Sequence, residues 1–551
     1  MHAEKKFAFI ISLILLSIPM IGHCAEVPDI VVNSIGFYPN DQKQAVVIGR
    51  HGGEEFKVVN ATNGKTVFTG KLSDAQWCED VKQDLCIADF SAFKKSGRYK
   101  IVANNGKESC EFNIGKTVYK DAYTTAMRAF YLWRCGMAVE TTYNGHRYQT
   151  TAACHTKDGY TKYLGEEQDW RDGTGGWHDA GDYGKYTVNA GVTVGVLFMA
   201  WQHFQKQLNS VDLNLPETAK GFPEFLKEIK WETDFLLKMQ YADGSGRVSH
   251  KLTRTEFSGF IMPETDDGKR YFTEWSSAAT ADFAAMMAMA SRIFEPYDKE
   301  YSERILSAAR LSYDALKKYG RKNFMQGDFS TGGYQTGDDD DIVWAAVEMW
   351  EATGEQQYLT DAEQRLGSQW NLIDSNWDWG DVSNLGAYTY ILSNREGKNA
   401  ELENKLKAAM IKDANQLADN SLSDPFGRAL NQYYWGCNGT VCRQALNLHM
   451  ADILAPNAKY QTAIKRIAGY VLGNNIYGRS FVTGIGVNPP MHPHDRRSGA
   501  DGIDDPWPGY IVGGGHSATD WVDEQDDYSR NEIAINWQAG LVYLLSAALA
   551  E

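Results

Sequence analysis

The feature that most constrains the fold is the helical spacing of apolar residues from about residue 117 to the C-terminus. Apolar side chains recur there every three or four positions, without strand-like alternation, which indicates amphipathic or buried helices. Paired helices of this kind can close into an (α/α)6 barrel, and a repeat-like solenoid is the alternative. The twelve predicted segments lie near 118–134, 187–206, 222–240, 275–294, 301–319, 342–353, 356–368, 382–395, 400–419, 439–455, 458–473 and 531–550.

Residues 26–115 follow a different pattern, typical of β-strands. Short runs rich in β-branched and aromatic residues are separated by turn formers such as Thr62-Asn63-Gly64. The runs are Ile30–Val32, Gln44–Ile48, Phe56–Val59, Lys65–Leu72 and Arg98–Ala103. We therefore expect a mainly α protein, in which a small β-sandwich over 26–115 precedes a helical domain over 116–551.

Residues 1–25 have the features of a signal peptide. Lys5 and Lys6 precede the apolar run 7–20, and small residues around Gly22 and Ala25 suit cleavage. The run is shorter than the ~20 residues that a membrane span needs, and no later run replaces it. The sequence predicts a secreted or periplasmic protein without a membrane span. A lipid anchor on Cys24 is disfavoured because His23 stands where a small residue is expected.

The overall charge limits the partners of this chain. The formal net charge is −16, which disfavours nucleic acid and anionic membrane surfaces. A neutral polymer is not repelled. The 16 Trp, 29 Tyr and 23 Phe residues offer flat apolar faces on which sugar rings can stack, although many of them belong in the core.

Four long connections between the predicted helices, 135–186, 241–274, 320–341 and 474–530, contain most of the unusual chemistry. In the first, Asp179-Ala180-Gly181-Asp182 places two carboxylates three positions apart with little steric crowding. Such a pair can bind a metal or hold and deprotonate a water molecule. It can equally cap the helix that follows.

The last connection leads into a second group of acids, which ends at Glu532 directly before an apolar helix. Burial would raise the pKa of this carboxyl and suit a general acid, whereas the helix N-terminus favours the anion. The sequence leaves the sign of the shift open. Upstream, the Pro- and Gly-containing loop 480–497 includes His492, His494 and Arg496, whose donors suit hydroxyl groups, with metal binding by the two histidines as the alternative.

Together these three segments resemble glycoside hydrolase family 9, the cellulase family with an (α/α)6 barrel. The shared elements are Asp-Ala-Gly-Asp, Gly-x-Asn-x4-Pro-His-x-Arg ending at Arg496, and aromatic-x-Asp-x4-Tyr-x3-Glu ending at Glu532. They occur in the family's order, and residues 26–115 look like the immunoglobulin-like domain that precedes many such barrels. Gln538 departs from the Asn that is usual in the last element.

The resemblance implies an inverting endo-β-1,4-glucanase that acts as a monomer on β-1,4-glucan or cello-oligosaccharides. It implies that Asp182 is the general base, that Asp179 helps to hold the attacking water, and that Glu532 is the general acid. Asp523 is expected to support the acid. His494 and Arg496 are expected to bind sugar hydroxyls, and Trp435 and Tyr528 to stack on sugar rings.

Two metal sites are expected. Cys135, Cys154, His155 and His178 make a tetrahedral zinc set, with a Cys135–Cys154 disulfide as the alternative. Residues 336–341 resemble the family's calcium element, so that the resemblance implies oxygen ligands from Thr336, Gly337, Asp340, Asp341 and Asp381. Asp341 replaces a longer Glu, and a solvated acidic helix start is the other interpretation.

Two cysteine pairs, Cys78–Cys86 and Cys437–Cys442, are close enough in sequence to close small disulfide loops, with free thiols as the alternative. For the activity, the alternatives are an exo-acting cellodextrinase, β-glucosidase or glucosaminidase of the same family, and a non-catalytic glucan-binding protein.

Overall fold

The structure, a computed structural model, describes residues 28–217 and 221–549. The predicted signal peptide and Cys24 lie outside this range. Within it, no helix combines the length and the apolarity that crossing a membrane requires.

The N-terminal region is a sandwich of two β-sheets. Its strands are β1 Ile30–Val32, β2 Gly36–Phe37, β3 Gln44–Ile48, β4 Glu55–Asn60, β5 Thr66–Lys71, β6 Gln76–Cys78, β7 Gln83–Asp89, β8 Gly97–Ala103 and β9 Phe112–Ile114. One sheet has the order β1-β3-β7-β6 and the other the order β2-β9-β8-β4-β5. The five predicted runs are strands, and the structure adds β2, β6, β7 and β9. Between the sheets lies an apolar core that includes Phe56, Phe90 and Phe112.

The remainder forms the predicted barrel of helical hairpins, each with an outer and an inner helix. The outer helices are α1 Lys120–Leu132, α3 Glu224–Met239, α5 Lys299–Tyr319, α7 Gln356–Ser368, α9 Ala400–Ser423 and α11 Ala458–Val471. The inner helices are α2 Thr187–Leu208, α4 Ser277–Phe294, α6 Asp339–Thr353, α8 Ser383–Leu392, α10 Cys437–Leu454 and α13 Ile535–Leu549, and a short helix α12, Tyr528–Asn531, precedes the last. All twelve predicted helices are present within a few residues of their expected ends.

The inner helices are buried along most of their length and form a ring. Contacts run from α10 through α13, α2, α4 and α6 to α8. The Tyr388 hydroxyl of α8 lies 2.7 Å from Asn447 Oδ1 of α10 and closes the ring. A long segment leads from the C-terminal end of each outer helix to the N-terminal end of the next inner helix. The six segments therefore all lie at the end of the barrel where the inner helices begin. They are 133–186, 240–276, 320–338, 369–382, 424–436 and 472–534.

Short strands inside these connections were not predicted. β10 Glu140–Tyr143 pairs with β11 His146–Gln149, and β12 Lys185–Tyr186, β13 Lys251–Thr253 and β14 Tyr271–Phe272 form a three-stranded sheet. At two to four residues, they are too short to show an alternating pattern in the sequence. This three-stranded sheet links the first long connection to the second, and its first strand follows the Asp179–Asp182 segment directly.

The sandwich packs against the barrel close to the last long connection. Ser34 Oγ donates to the Leu472 carbonyl at 2.6 Å and accepts a hydrogen bond from the Val487 amide at 3.1 Å. On the other side Asn33 donates to the Tyr119 hydroxyl at 2.9 Å. The β-domain therefore braces the base of the segment that leads to Glu532.

Neither predicted disulfide forms, and all seven cysteines of the described chain are free thiols. On the β6–β7 hairpin Cys78 lies opposite Gln83, whereas Cys86 lies opposite Val47 of β3. Cys437 and Cys442 both belong to α10, where five positions turn the two side chains to different sides of the helix. Closeness in sequence was therefore the wrong guide to pairing.

Candidate active site

The three segments singled out in the sequence converge on one point of the barrel face. Ala180 pairs with Ala534 in an antiparallel bridge, and His494 pairs with Glu532 in a parallel one. The Arg496 amide donates to the Gly181 carbonyl at 3.2 Å, so that the 480–497 loop also touches the Asp-Ala-Gly-Asp turn. Backbone hydrogen bonds thus fix the three elements relative to one another.

Gly181 is required by this close approach. A Cβ atom at this position would lie 2.1 Å from the His494 carbonyl oxygen, which no side chain can accommodate. The glycine of the motif therefore allows the third segment to reach the first.

Asp179 and Asp182 are both buried, but their carboxylates have different surroundings. Asp179 accepts hydrogen bonds from Asn189 Nδ2 at 2.7 Å and from the Tyr334 hydroxyl at 2.6 Å. Asp182 Oδ2 accepts from the Gly184 amide at 2.8 Å and from the Tyr186 hydroxyl at 3.0 Å. Since α2 begins only at Thr187 and neither carboxylate accepts from its first amides, the helix-cap interpretation is wrong.

Burial and the neighbouring charge of Asp182 raise the pKa of Asp179 well above its usual range. Glu532, at the end of α12, is half-buried as a residue. Burial of its carboxyl, followed by the charges of Asp182 and Asp179, raises the pKa of Glu532 well above its usual range, whereas Arg496 acts in the opposite direction. Burial and the two neighbouring acids therefore set the upward direction of the shift that the sequence left open.

Asp523 supports the loop beside Glu532 rather than facing the other carboxylates. It accepts hydrogen bonds from the Met491 and His492 amides at 2.9 Å, from Asn531 Nδ2 at 3.2 Å and from Arg479 at 2.6 Å. Because Asn531 precedes Glu532, this network fixes the position of the acid.

A row of aromatic rings extends from the acid site to the surface. Phe260 packs edge-on against His494 at 5.3 Å, His494 lies 6.0 Å from Tyr528, and Tyr528 lies 5.5 Å from Trp435. The last two rings are 53% and 48% exposed, so they offer open apolar surface. Arg496 is buried and donates through Nε to the Ser258 carbonyl at 3.0 Å.

Three residues that contact the acids were missed in the sequence: Asn189, Tyr186 and Tyr334. Asn189 is a lone amide in an otherwise apolar helix start, which is a usable signal in retrospect. Tyr334 adopts a positive φ of 42°, a conformation unfavourable for a non-glycine residue that tends to occur at functional sites. Its ring packs edge-on against Trp379 at 5.1 Å.

The predicted zinc residues form a compact, buried cluster beside this site. The ligand atoms of Cys135, Cys154, His155 and His178 lie within 4.8 Å of one another. The His155 Nδ1 to His178 Nε2 distance is 3.2 Å, and the two sulfur–nitrogen distances are 3.6 Å and 3.8 Å. These separations fit tetrahedral ligands at about 2.1 Å (nitrogen) and 2.3 Å (sulfur) from one ion.

Two of the four donors, His178 and Cys135, have the protonation state that a metal requires, whereas the hydrogen bond with Cys135, followed by burial, raises the pKa of the Cys154 thiol, which would lose its proton on binding. Burial lowers the pKa of His178 to about 3, which keeps this imidazole neutral. Although burial alone would raise it, the hydrogen bond from Cys154 and the charge of Lys185 lower the pKa of Cys135 well below its usual value. Asp266 lies 3.4 Å from His155 Nε2 and orients the ring, as carboxylates commonly do behind metal ligands.

The predicted calcium residues are brought together only in part. The Thr336 hydroxyl donates to the Gly380 carbonyl at 3.3 Å, and Asp340 accepts from the Val382 amide at 2.8 Å, which places both beside Asp381. Gly337 continues the same turn. Asp341 instead lies in the barrel interior, where it approaches Asp282 of α4. In the described part of the chain, the Cys/His cluster is the one place where three or more His, Cys, Asp or Glu side chains come close enough together to hold a metal ion.

Comparisons with known proteins agree with this geometry. The family model described as "Glycosyl hydrolase family 9" matches residues 119–545, and the one described as "Cellulase N-terminal ig-like domain" matches residues 25–108. The chain therefore belongs to glycosyl hydrolase family 9, in the group with an N-terminal immunoglobulin-like domain.

Individual relatives can be compared over nearly the whole chain. It is 49% identical to Endoglucanase D of Acetivibrio thermocellus, over 94% of this chain and 82% of that protein. A solved structure of a Bacteroides ovatus family 9 protein superimposes with a TM-score of 0.87 at 32% identity, covering 95% of this chain and 99% of the other. A Zn-binding triple mutant of the family 9 endoglucanase J30 superimposes with a TM-score of 0.86 at 30% identity, covering 93% and 99%.

Proposed function

We propose that the protein is an inverting endo-β-1,4-glucanase in which Asp182 is the general base, Asp179 helps to hold the attacking water and Glu532 is the general acid. The observation that carries the proposal is the convergence of the Asp179–Asp182 turn and Glu532 through the Ala180–Ala534 bridge. Family membership and the identity to Endoglucanase D support the activity and its stereochemistry.

The surroundings of each carboxyl favour this division of roles. Glu532, whose pKa is raised by burial, keeps the proton that it must give to the leaving oxygen. Asp182 accepts an amide and a phenol hydrogen bond, both of which stabilise its anion. Asp179, with its raised pKa, keeps its proton at neutral and acidic pH, so it is not free to take one from the water and is suited to holding that water.

Glucan is held by the row of rings and by polar groups next to the acid. Trp435 and Tyr528 present exposed faces to sugar rings, while His494 and Arg496 bind sugar hydroxyls near the cleavage point. Asp523 supports Glu532 through Asn531.

The metals have structural roles in this proposal. Zinc is held by Cys135, Cys154, His155 and His178, and because His178 directly precedes Asp179 the ion would stiffen the turn that carries the base. Calcium is held by oxygens of Thr336, Gly337, Asp340 and Asp381 at the start of α6. Asp341 contributes only if its side chain turns away from Asp282.

Residues 1–25 have the features of a signal peptide, so export to the medium or the periplasm is part of the proposal. The protein would act there as a monomer, without a lipid anchor on Cys24.

Endo and exo action are separated by following viscosity and reducing ends together on carboxymethyl-cellulose. Internal cutting lowers the viscosity steeply while few reducing ends appear, which is the expected result. Slow viscosity loss with release of glucose or cellobiose from cello-oligosaccharides would identify an exo-acting cellodextrinase or β-glucosidase instead. Cleavage restricted to glucosamine-containing oligosaccharides would identify a glucosaminidase, and binding without cleavage a glucan-binding protein.

A further inference from the structure

Lys251 is a buried lysine directly behind the base, on β13. In the β12–β13 pair, Lys251 is the register partner of Tyr186. Side chains that lie opposite each other in an antiparallel pair share one face of the sheet. Accordingly, the Lys251 ammonium lies 5.7 Å from the centre of the Tyr186 ring.

Among the described residues, the hydrogen-bond partners of the Lys251 ammonium are all neutral oxygens, and the centre of the Phe329 ring lies 4.9 Å from it. It donates to Gln326 Oε1 at 2.7 Å, to the Gly332 carbonyl at 2.7 Å and to Thr331 Oγ1 at 3.1 Å. Fully buried lysines are rare unless they are paired with an acid. Burial lowers the pKa of Lys251 to about 7, and the charge of Asp182 acts against that shift, so the ammonium form dominates below neutral pH.

Tyr186 and Gly332 connect this ammonium to Asp182. The Tyr186 hydroxyl donates to Asp182 at 3.0 Å and accepts from the Gly332 amide at 3.1 Å. The Gly332 carbonyl accepts from Lys251. Burial and the nearby charge of Asp182 raise the pKa of Tyr186 well above its usual range, so the phenol stays a donor.

The other charged groups near Asp182 are either acidic or already paired. They are Asp179, Glu532, His494, Arg254, Glu256, Asp266 and Arg270. Of the cations, Arg254 pairs with Asp266, and Arg270 pairs with Asp158 at 2.8 Å. Burial lowers the pKa of His494, which keeps its ring neutral. The charge of Arg496 acts to lower the pKa of Glu532. Among the described residues, the buried cations near Asp182 without an acidic partner are therefore Arg496, which acts on Glu532, and Lys251.

We propose that Lys251 is a positioning residue for hydrolysis, whose ammonium holds Gly332 and through it the Tyr186 hydroxyl that donates to Asp182, and whose positive charge favours the Asp182 carboxylate. The inference rests on the proposed role of Asp182 as base. The lysine touches neither the glucan nor the water, and it acts through charge and through the Tyr186–Gly332 contact.

The test is the pH profile of kcat/KM on cellotetraose for Lys251→Gln, which keeps a donor and removes the charge. We expect the acidic limb to move upward by about one pH unit, because loss of the positive charge and of the hold on Gly332 and Tyr186 disfavours the Asp182 carboxylate. KM at neutral pH should stay within about twofold, since stacking and hydroxyl contacts are unchanged. Lys251→Arg, which restores the charge, should return the limb toward its original position.

Lys43 offers a matched control in the β-domain. It is also buried and donates to carbonyls, those of Pro39 and Asp41, both at 2.8 Å. Lys43→Gln should lower the thermal midpoint without moving the pH profile.

An acidic limb that stays in place in folded Lys251→Gln, or a loss of kcat equal at every pH, would overturn the proposal and leave Lys251 a structural residue. If Lys251→Arg does not fold, the pH profile of Lys251→Gln by itself still tests the proposal. Asp182→Asn separates this outcome from failure of the proposed function. If Asp182→Asn is active, Asp182 is not the base and the proposed function fails. If it is inactive, only the role of Lys251 is in question.

Discussion

Two groups of buried carboxyls lie near the N-terminal ends of the inner helices, and they are built differently. Asp179 and Asp182 of the catalytic group accept hydrogen bonds from side chains and from an amide. Asp282 of α4 and Asp341 of α6 form an interior pair whose four carboxylate oxygens have no hydrogen-bond donor outside the pair itself. Burial, followed by the charge of its neighbour, raises the pKa of Asp341 well above its usual range, and burial likewise raises that of Asp282.

The difference shows what burial alone can and cannot do. In the interior pair, the two buried acids can avoid an uncompensated negative charge only by sharing a proton or by binding a cation. In the catalytic group, each carboxyl has its own neighbours, so that one can be ionised while another keeps its proton. Burial keeps the proton on Glu532, and donors such as the Tyr186 hydroxyl stabilise the anion of Asp182, so the two together separate the roles of acid and base.

The largest effect is expected for removal of the catalytic acid. Glu532→Gln should lower kcat by about 10²- to 10⁴-fold, since a positioned general acid typically contributes that much, while cellotetraose binding is kept. Steady-state kinetics and calorimetric binding measure the two quantities. The exposed Glu524→Gln, eight residues away, is the control, and equal activity in both variants would remove Glu532 from the mechanism.

The zinc cluster should give the next largest effect, because it stiffens the turn that carries the base. Cys154→Ser should lower the zinc content from about one ion per chain to near zero by mass spectrometry, together with the thermal midpoint. Asp266→Asn should weaken zinc binding by about 10- to 100-fold through the orientation of His155. Cys442→Ser, in a buried cysteine outside the cluster, should leave the zinc content unchanged, and so full zinc in Cys154→Ser would contradict the assignment.

The interior pair predicts a pH effect on stability with a definite sign. With pKa values raised in the folded state, native Asp282 and Asp341 keep a proton that the unfolded chain releases above about pH 4. Stability is therefore lost as pH rises from about 4 toward the raised values, by up to about 1.4 kcal/mol per pH unit.

Asp282→Asn should remove this dependence, since its amide donates permanently to Asp341. Thermal midpoints of calcium-chelated protein at one heating rate, from pH 4.5 to 8, should fall less in Asp282→Asn than in the wild type. The exposed Asp526→Asn is the control, and parallel curves for all three proteins would mean that the pair does not hold the proton.

The smallest effect concerns the row of rings. Trp435→Ala should raise KM for cello-oligosaccharides by about three- to tenfold, because a stacking contact contributes about 1 kcal/mol, while kcat changes little. Trp77→Ala supplies the control, since Trp77 is 57% exposed but lies in the β-domain. If KM does not change in Trp435→Ala, the glucan does not bind along this row of rings.

The sequence predicted those parts of the molecule that depend on local pattern. The spacing of apolar residues was enough to locate all twelve barrel helices, and the three motifs located Asp179, Asp182 and Glu532. Tyr334 and Lys251 come from other connections and meet these carboxyls only after the hairpins assemble, so local pattern carries no sign of them. The disulfide predictions failed for the same reason, because pairing depends on strand register and helix rotation rather than on sequence distance.

In the proposed mechanism, water placed between Asp182 and Glu532 displaces the leaving group in a single step, and the anomer of the first product reports whether this happens. Proton NMR spectra recorded during the first turnovers on cellopentaose, before mutarotation, should show the α-anomer, because water attacks the face opposite the leaving group. Initial formation of the β-anomer would require a covalent intermediate and would contradict the roles given to both carboxyls.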